Sequence, residues 1–281
     1  MRFSQFNFHK MGHIVGQFKN KRKTKMKKHP FRFILTTLFK PRIIKNLFDS
    51  NHSIGKVLDA GCGSGFMLST LSNYYEEGYG IDMSPEAIEF GRQFNKADLK
   101  VGNAENLEFK DNFFDCIIST DAFEHIPDDK AAMEESFRVL KKDGYIIIYT
   151  PSEDGIFSKS KWVDLYHQSE KSYLLDQRYY TINSLSNLAI QAGFKIEYAG
   201  YHNIFLQELF TQLLKKISTI LGKEYEHQAH IYGFTKSALF PIYRWLFLPI
   251  IYVLVRIEEF IFEKILFGKI SGHRIVMKCR K

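Results

Sequence analysis

VLDAGCGSG, Val57–Gly65, places four residues suited to a buried strand directly before three glycines at alternate positions. Glycine belongs where the backbone takes positive φ or lies very close to another group. A strand, a glycine turn and a following helix present helix N-terminal amides to a phosphate- or nucleotide-like ligand. The spacing narrows the choice. Gly61, Gly63 and Gly65 give G-x-G-x-G preceded by Asp59, not the G-x-G-x-x-G of dinucleotide folds, and no G-K-[ST] follows, which excludes a P-loop. Asp82 ends the next strand, seventeen residues beyond Gly65, where a carboxylate can accept hydrogen bonds from both hydroxyls of a ribose.

Outward from this stretch, strands and helices alternate. GYGIDM reads as a second strand, and GFMLSTLSNYY between the two as a helix with Phe66, Leu68, Leu71 and Tyr75 on one side. SPEAIEFGRQF opens with Ser84 as N-cap and Pro85 at the first helical position. ADLKVGNA and FFDCIIST supply a third and a fourth strand. DDKAAMEESFRVL is a helix expected to stop at Gly144 of KKDG before the β-rich YIIIYTP. TINSLSNLAIQAGF is a further helix with a Thr or Asn start (Thr181 or Asn183) and a Gly193 stop, KIEYAGY a sixth strand, and GHRIVMKCRK a last strand. The pattern predicts a doubly wound α/β fold: a Rossmann-like, seven-stranded, mostly parallel sheet with an antiparallel last strand and ligand at the carboxyl ends of the strands.

The chain has 281 residues, 45% hydrophobic and 15% aromatic, enough for one large folded domain with an insertion. Its net charge of +8 is unevenly placed: residues 1–48 hold thirteen Lys and Arg and no Asp or Glu, which leaves −5 for the remainder. The expected organisation is a basic N-terminal arm and helix (1–48), a core (49–203), a hydrophobic helical insertion (204–268) and a final core strand (269–281). Cys62, Cys116 and Cys279 are scattered, and no apolar run follows the first basic residues. A reduced, cytoplasmic setting with no secretory signal and no metal site is the expectation.

The insertion carries IFLQELFTQLLKKISTIL, with helical amphipathic spacing, and WLFLPIIYVLV (Trp245–Val255), eleven uninterrupted apolar residues. Eleven falls short of the about 20 that cross a bilayer, and Pro241 and Pro249 are expected to disturb a simple spanning helix.

In the order VLDAGCGSG, GYGIDMSPEAIEFGR, GNAENLEFKDNFFDCIIST, DAFEHIPD, RVLKKDGYIIIYTP and AGF, the chain resembles the class I S-adenosylmethionine-dependent methyltransferases, in particular the group with ubiquinone-pathway and other small-molecule enzymes. The resemblance covers roughly Ile54–Tyr201 and the terminal strand. It implies S-adenosyl-L-methionine as cofactor, with Asp59 and Ala60 under the loop and Asp59 meeting the cofactor's amino-acid end. Gly61 and Gly63 would admit the methionine and ribose portions, Asp82 hold the ribose, and Met83 lie on the adenine. Asn103, Ala104 and Glu105 would follow the third strand near the adenine, Asn103 replacing the family's usual Asp and acting through its amide oxygen. Thr120 would border the methyl group.

Methyl transfer from a sulfonium is an in-line displacement that needs alignment and water exclusion, with a general base where the acceptor is a hydroxyl or unactivated carbon. Catalytic candidates are Asp121 and His125 in TDAFEHIPD and His167 beyond the fifth strand. An acidic-x-x-E-H metal pattern fits Asp121, Glu124 and His125 only loosely. The arm and the apolar insertion both suit an interface. They point to a hydrophobic or lipid-linked small-molecule acceptor reached by peripheral contact with an anionic membrane. A nucleic-acid methyltransferase using the arm on phosphates is the alternative, weakened by the lack of an NPPY-type tetrapeptide; a non-catalytic cofactor-binding regulator is another.

Overall fold

The structure, a computed structural model, describes residue 29 and residues 39–49, 53–155, 178–202, 206, 209–210, 240–264 and 272–281. His167 and most of the arm and of the segment 203–239 lie outside them. Seven strands form one sheet: β1 (Ile54–Ala60), β2 (Tyr75–Asp82), β3 (Asp98–Val101), β4 (Phe114–Thr120), β5 (Leu140–Pro151), β6 (Lys195–His202) and β7 (Arg274–Arg280). Their order is β3-β2-β1-β4-β5-β7-β6, all parallel except β7, which runs antiparallel to both neighbours. The reversal from β1 outward in both directions leaves a crevice above the carboxyl ends of β1 and β4, where ligands bind in open α/β sheets.

The two sheet faces are separate apolar layers, because successive strand residues point to opposite sides. On one face Val57, Cys116, Ile118, Ile147 and Val276 pack against α1 (Lys40–Asn46), α2 (Phe66–Leu71) and α3 (Pro85–Arg92). On the other, Leu58, Ile117, Ile146, Ile148 and Met277 meet α4 (Asp129–Val139) and α5 (Ile182–Gln191). The Ser84 cap and the Thr181 start read from sequence form as expected, and Asp128 adds a cap that the sequence reading did not single out. Ser84 Oγ accepts from the Ala87 N–H, Asp128 caps α4 through the Ala131 N–H, and Thr181 and Ser184 make a reciprocal capping box on α5. Replacing Ser84 with Ala removes that acceptor next to the candidate site. The expected cost is about 1 kcal/mol, measured as a lower urea midpoint with unchanged m-value.

Three local expectations are corrected. α2 ends at Leu71, and Tyr75, expected on its face, begins β2 and turns back to donate its hydroxyl to the Leu68 carbonyl at 2.7 Å. The tyrosine still covers the helix, from a different element. KKDG is not a helix stop: α4 ends at Val139, β5 starts at Leu140, and the four residues form an irregularity where the β4–β5 register shifts between Phe114↔Leu140 and Cys116↔Tyr145. Asp143, not Gly144, takes the positive φ of 63° there.

The third correction concerns the insertion. An α turn (Phe240–Ile242), a π segment (Tyr243–Phe247) and α6 (Leu248–Lys264) run on as one helical rod through both prolines. Pro249 has no N–H and its ring crowds the preceding turn. The wider π turn lies immediately before it, at the kind of position where such bulges absorb local misfit. Over Phe240–Ile261, 22 residues whose most apolar 18 have a mean hydropathy of 1.5, the rod has the length and composition to cross a membrane.

Candidate cofactor and acceptor site

The glycine loop leaves β1 in left-handed backbone: Gly61, Gly63 and Gly65 have φ of 80°, 51° and 67°. A Cβ at Gly61 would also stand 2.3 Å from the Ala122 methyl, so the turn and the segment after β4 are in direct contact. Gly61 and Cys62 both donate to the Ile81 carbonyl, which ties the loop to β2.

Asp82, at the end of β2, braces the same loop. Its carboxylate accepts from the Gly63 N–H at 2.7 Å and the Ser84 N–H at 2.9 Å, one on each oxygen. A carboxylate has about four acceptor positions, so one remains on each oxygen for a pair of vicinal hydroxyls. Met83 beside it is 70% exposed, an apolar surface open to a flat ring. Ala60 is buried and its carbonyl accepts from Ser119 Oγ.

Asp59 is the anomaly of the site. It is 1% exposed, and neither carboxylate oxygen has a hydrogen-bond partner. Burial pushes its pKa up to about 8, with the Asp82 charge adding to the rise and Lys40 opposing it. A buried carboxylate left without donors is costly. Its position under the loop fits a cationic, hydrogen-donating ligand end, and together with the glycine cradle it matches the amino-acid portion of S-adenosylmethionine.

Beyond β3, Asn103 Oδ1 accepts from the Glu105 N–H at 2.9 Å, and its amide donates to Glu105 Oε2. The Glu105 carboxylate in turn takes the Asp128 N–H. These two residues, with Ala104, form a locally bonded rim that joins β3 to the start of α4. Asn103 keeps one acceptor position on its amide oxygen.

After β4, Thr120 is half-buried and Asp121 follows it at φ 50°, a left-handed conformation unusual for a residue with a side chain. Asp121 pairs with Lys40 from α1, and its second oxygen faces Arg274 Nε of β7 at 3.6 Å. Glu124 is buried, accepts from Thr150 Oγ1 at 3.0 Å, and has its pKa raised by burial. His125, the third residue of the short 3-10 turn Phe123–His125, is exposed. The acidic-x-x-E-H stretch is thus split: Asp121 bonds a lysine, Glu124 a threonine, and His125 faces outward. Among the described residues no three His, Cys, Asp or Glu gather with metal-binding spacing.

Two contributions escaped the sequence reading. Lys40 and Arg274 come from elements flanking the core, and nothing in their local sequence marks them. The other is His29 from the basic arm, 2% exposed, which shares hydrogen bonds with the Ser64 carbonyl (3.3 Å) and hydroxyl (3.1 Å) behind the glycine loop and sits among Phe66, Phe90 and Phe94. Burial lowers its pKa to about 4, so the ring is neutral.

The mostly parallel sheet with this strand order and reversed β7 is the fold of class I methyltransferases. Residues 58–148 match the family described as methyltransferase domain. That stretch is about a third of the chain, and the relatives it resembles include proteins named as S-adenosylmethionine-dependent methyltransferases, which supports S-adenosylmethionine as the cofactor. The chain is 31% identical over 150 residues to the uncharacterized methyltransferase YcgJ of Bacillus subtilis, covering 48% of this chain and 59% of that protein. It is 31% identical over 121 residues to the ubiquinone/menaquinone biosynthesis C-methyltransferase UbiE of Vibrio cholerae, covering 40% and 46%. It thus spans about half the length of these curated relatives. Among solved structures, a SAM-dependent methyltransferase of Thermotoga maritima, described as a possible histamine N-methyltransferase, shares the fold with a TM-score of 0.54 at 16% identity, covering 98% of this chain and 100% of that one.

Proposed function

We propose that the protein transfers a methyl group from S-adenosylmethionine to a hydrophobic, lipid-like acceptor at a membrane surface. The observation that carries the membrane part is the outward face of the helical rod. Trp245 (70% exposed), Leu246, Phe247, Ile250, Ile257 and Phe260 all lie open to solvent, while Leu248, Ile251 and Val255 on the opposite side are buried, the last two within the core cluster. A contiguous apolar stripe of this kind marks an interaction surface. A helix whose inner face is already committed to protein suits lying in the interface plane. The basic arm adds attraction to anionic headgroups, about 1 kcal/mol per residue near the surface. The relative named for ubiquinone/menaquinone biosynthesis favours an isoprenoid quinone precursor or a lipid-linked intermediate as acceptor.

The bound cofactor supplies an activated methyl group on a sulfonium. The chain's own part is to hold and to shield. Asp59 and the loop amides would grip the amino-acid end, Asp82 the ribose, and Met83 the adenine face, while Thr120 and Asp121 border the acceptor. Alignment of the reacting atoms and exclusion of water are what such a displacement requires.

Flotation with vesicles containing anionic phospholipid tests the reading. The protein is expected in the lipid fraction at low salt, with a reduced share at high salt. The triple change Trp245→Ser, Phe247→Ser and Ile250→Ser is expected to return it to the soluble fraction, since each large side chain gives up about 1.5–3 kcal/mol of burial. Wild-type protein that stays entirely soluble would overturn the membrane part and leave the cofactor assignment standing.

A further inference from the structure

Asp121 is held from two ends of the chain. Its backbone N–H donates to the Tyr149 carbonyl at 2.8 Å, and it sits at φ 50° immediately after β4, beside the loop that Ala122 touches. Strained backbone of this kind persists only where surrounding contacts over-determine it. The contacts are visible: Lys40 takes one carboxylate oxygen, and Arg274 lies opposite the other. Lys40 also stands over the Tyr149 ring at 5.6 Å, and its side chain keeps 16% of its surface exposed. Both cations lie outside the stretch 58–148 that matches the methyltransferase domain, so the common core does not supply them.

We propose that Asp121 faces the acceptor and that Lys40 and Arg274 are positioning residues that hold it there, so that α1 and β7 complete the acceptor side of the site. This rests on the methyltransferase reading above. The arrangement makes the carboxylate's direction depend on whether α1 is docked. It also makes the acceptor side sensitive to the charge on Lys40.

That charge is poised to change. Burial lowers the Lys40 pKa to about 7, Arg274 lowers it further, and Glu124 and Asp59 oppose the shift. The charged and titratable groups around the ammonium are therefore Asp121 after β4, Glu124 on the 3-10 turn, Asp59 on β1 and Arg274 on β7, with the Tyr149 ring of β5 beneath. Above neutrality the amine loses its charge and its hold on Asp121 weakens.

The test uses the full-length protein and S-adenosylmethionine labelled with ¹³C at the methyl group, read by NMR. In wild type the bound methyl resonance is expected to move with pH through a single step near 7. Lys40→Met is expected to abolish the step while the cofactor still binds, Lys40→Arg to keep the low-pH position at all pH values, and Asp121→Asn to remove the step as Lys40→Met does. Thermal melting of each variant separates loss of folding from loss of positioning. A bound resonance whose pH dependence is the same in wild type and Lys40→Met would overturn the proposal and leave the methyltransferase reading intact. Absence of any bound resonance in folded wild type would overturn both.

Discussion

Replacing Asp59 with Asn is expected to make the cofactor-free protein more stable and its binding of S-adenosylmethionine about 100-fold weaker. The two effects have one cause. The Asp59 carboxylate is buried with no hydrogen-bond partner, and its pKa is raised from the ordinary carboxylate range to about 8. The folded chain then holds a proton that the unfolded chain has released, so stability falls as pH rises from near 4 and levels off above 8. The amide never has to ionise, so the variant is free of this dependence. Its Tm is expected to exceed wild type by roughly 5–10 °C at pH 8, the gap closing toward pH 4. Calorimetry with S-adenosylmethionine is expected to show the opposite ranking, with an affinity loss on the order of 100-fold for a charged hydrogen-bonding group removed. In wild type, binding of a cationic ligand end requires the carboxylate. Affinity should therefore rise with pH up to about 8, with a proton released on binding, seen as a dependence of the heat on buffer ionisation enthalpy. A variant less stable than wild type at pH 8, or one that binds normally, would contradict this account.

Asp82→Ala is expected to lower cofactor affinity by about 100-fold or more and also to loosen the loop before any ligand arrives. The carboxylate serves two parts of the site at once. It accepts the Gly63 and Ser84 N–H groups and has one further acceptor position on each oxygen. Alanine orphans both amides. Asp82→Asn keeps one acceptor oxygen and substitutes a donor for the other, so an intermediate loss is expected. Unlike Asp59→Asn, both changes should lower Tm. Measuring affinity and Tm together therefore separates the two acids: one is destabilising until the ligand comes, the other is already structural. Unchanged affinity in Asp82→Ala would remove the ribose assignment.

What the sequence disclosed was short-range. The strand, glycine turn and acid of Val57–Asp82, the Ser84 and Thr181 caps and the Gly193 stop each depend on residues a few positions apart, and the alternation of elements along the chain was enough for a doubly wound, largely parallel sheet, whereas the strand order came from the tertiary structure. Local misreadings had local causes. KKDG carries stop residues but follows a helix already ended by the β-rich run after Val139, and Tyr75 has helical spacing although it belongs to the next strand. The prolines of the insertion looked like breaks because sequence shows the missing N–H but not the π turn that lies beside it.

The chain's own sequence thus determined the fold class, the cofactor loop and the acid on the neighbouring strand. Only tertiary structure decided which residues surround Asp121 and the glycine loop. Lys40 reaches Asp121 across 81 positions of sequence, Arg274 arrives from the last strand, and His29 backs the loop from the arm. The same distinction separates Asp121 and Glu124, which turn inward, from His125, which does not. A cap or a glycine turn is set by contacts within a few residues, so its signature is written consecutively. A buried ion pair is set by where the sheet carries distant segments, and a lysine at position 40 looks the same in sequence whether it meets a carboxylate or water.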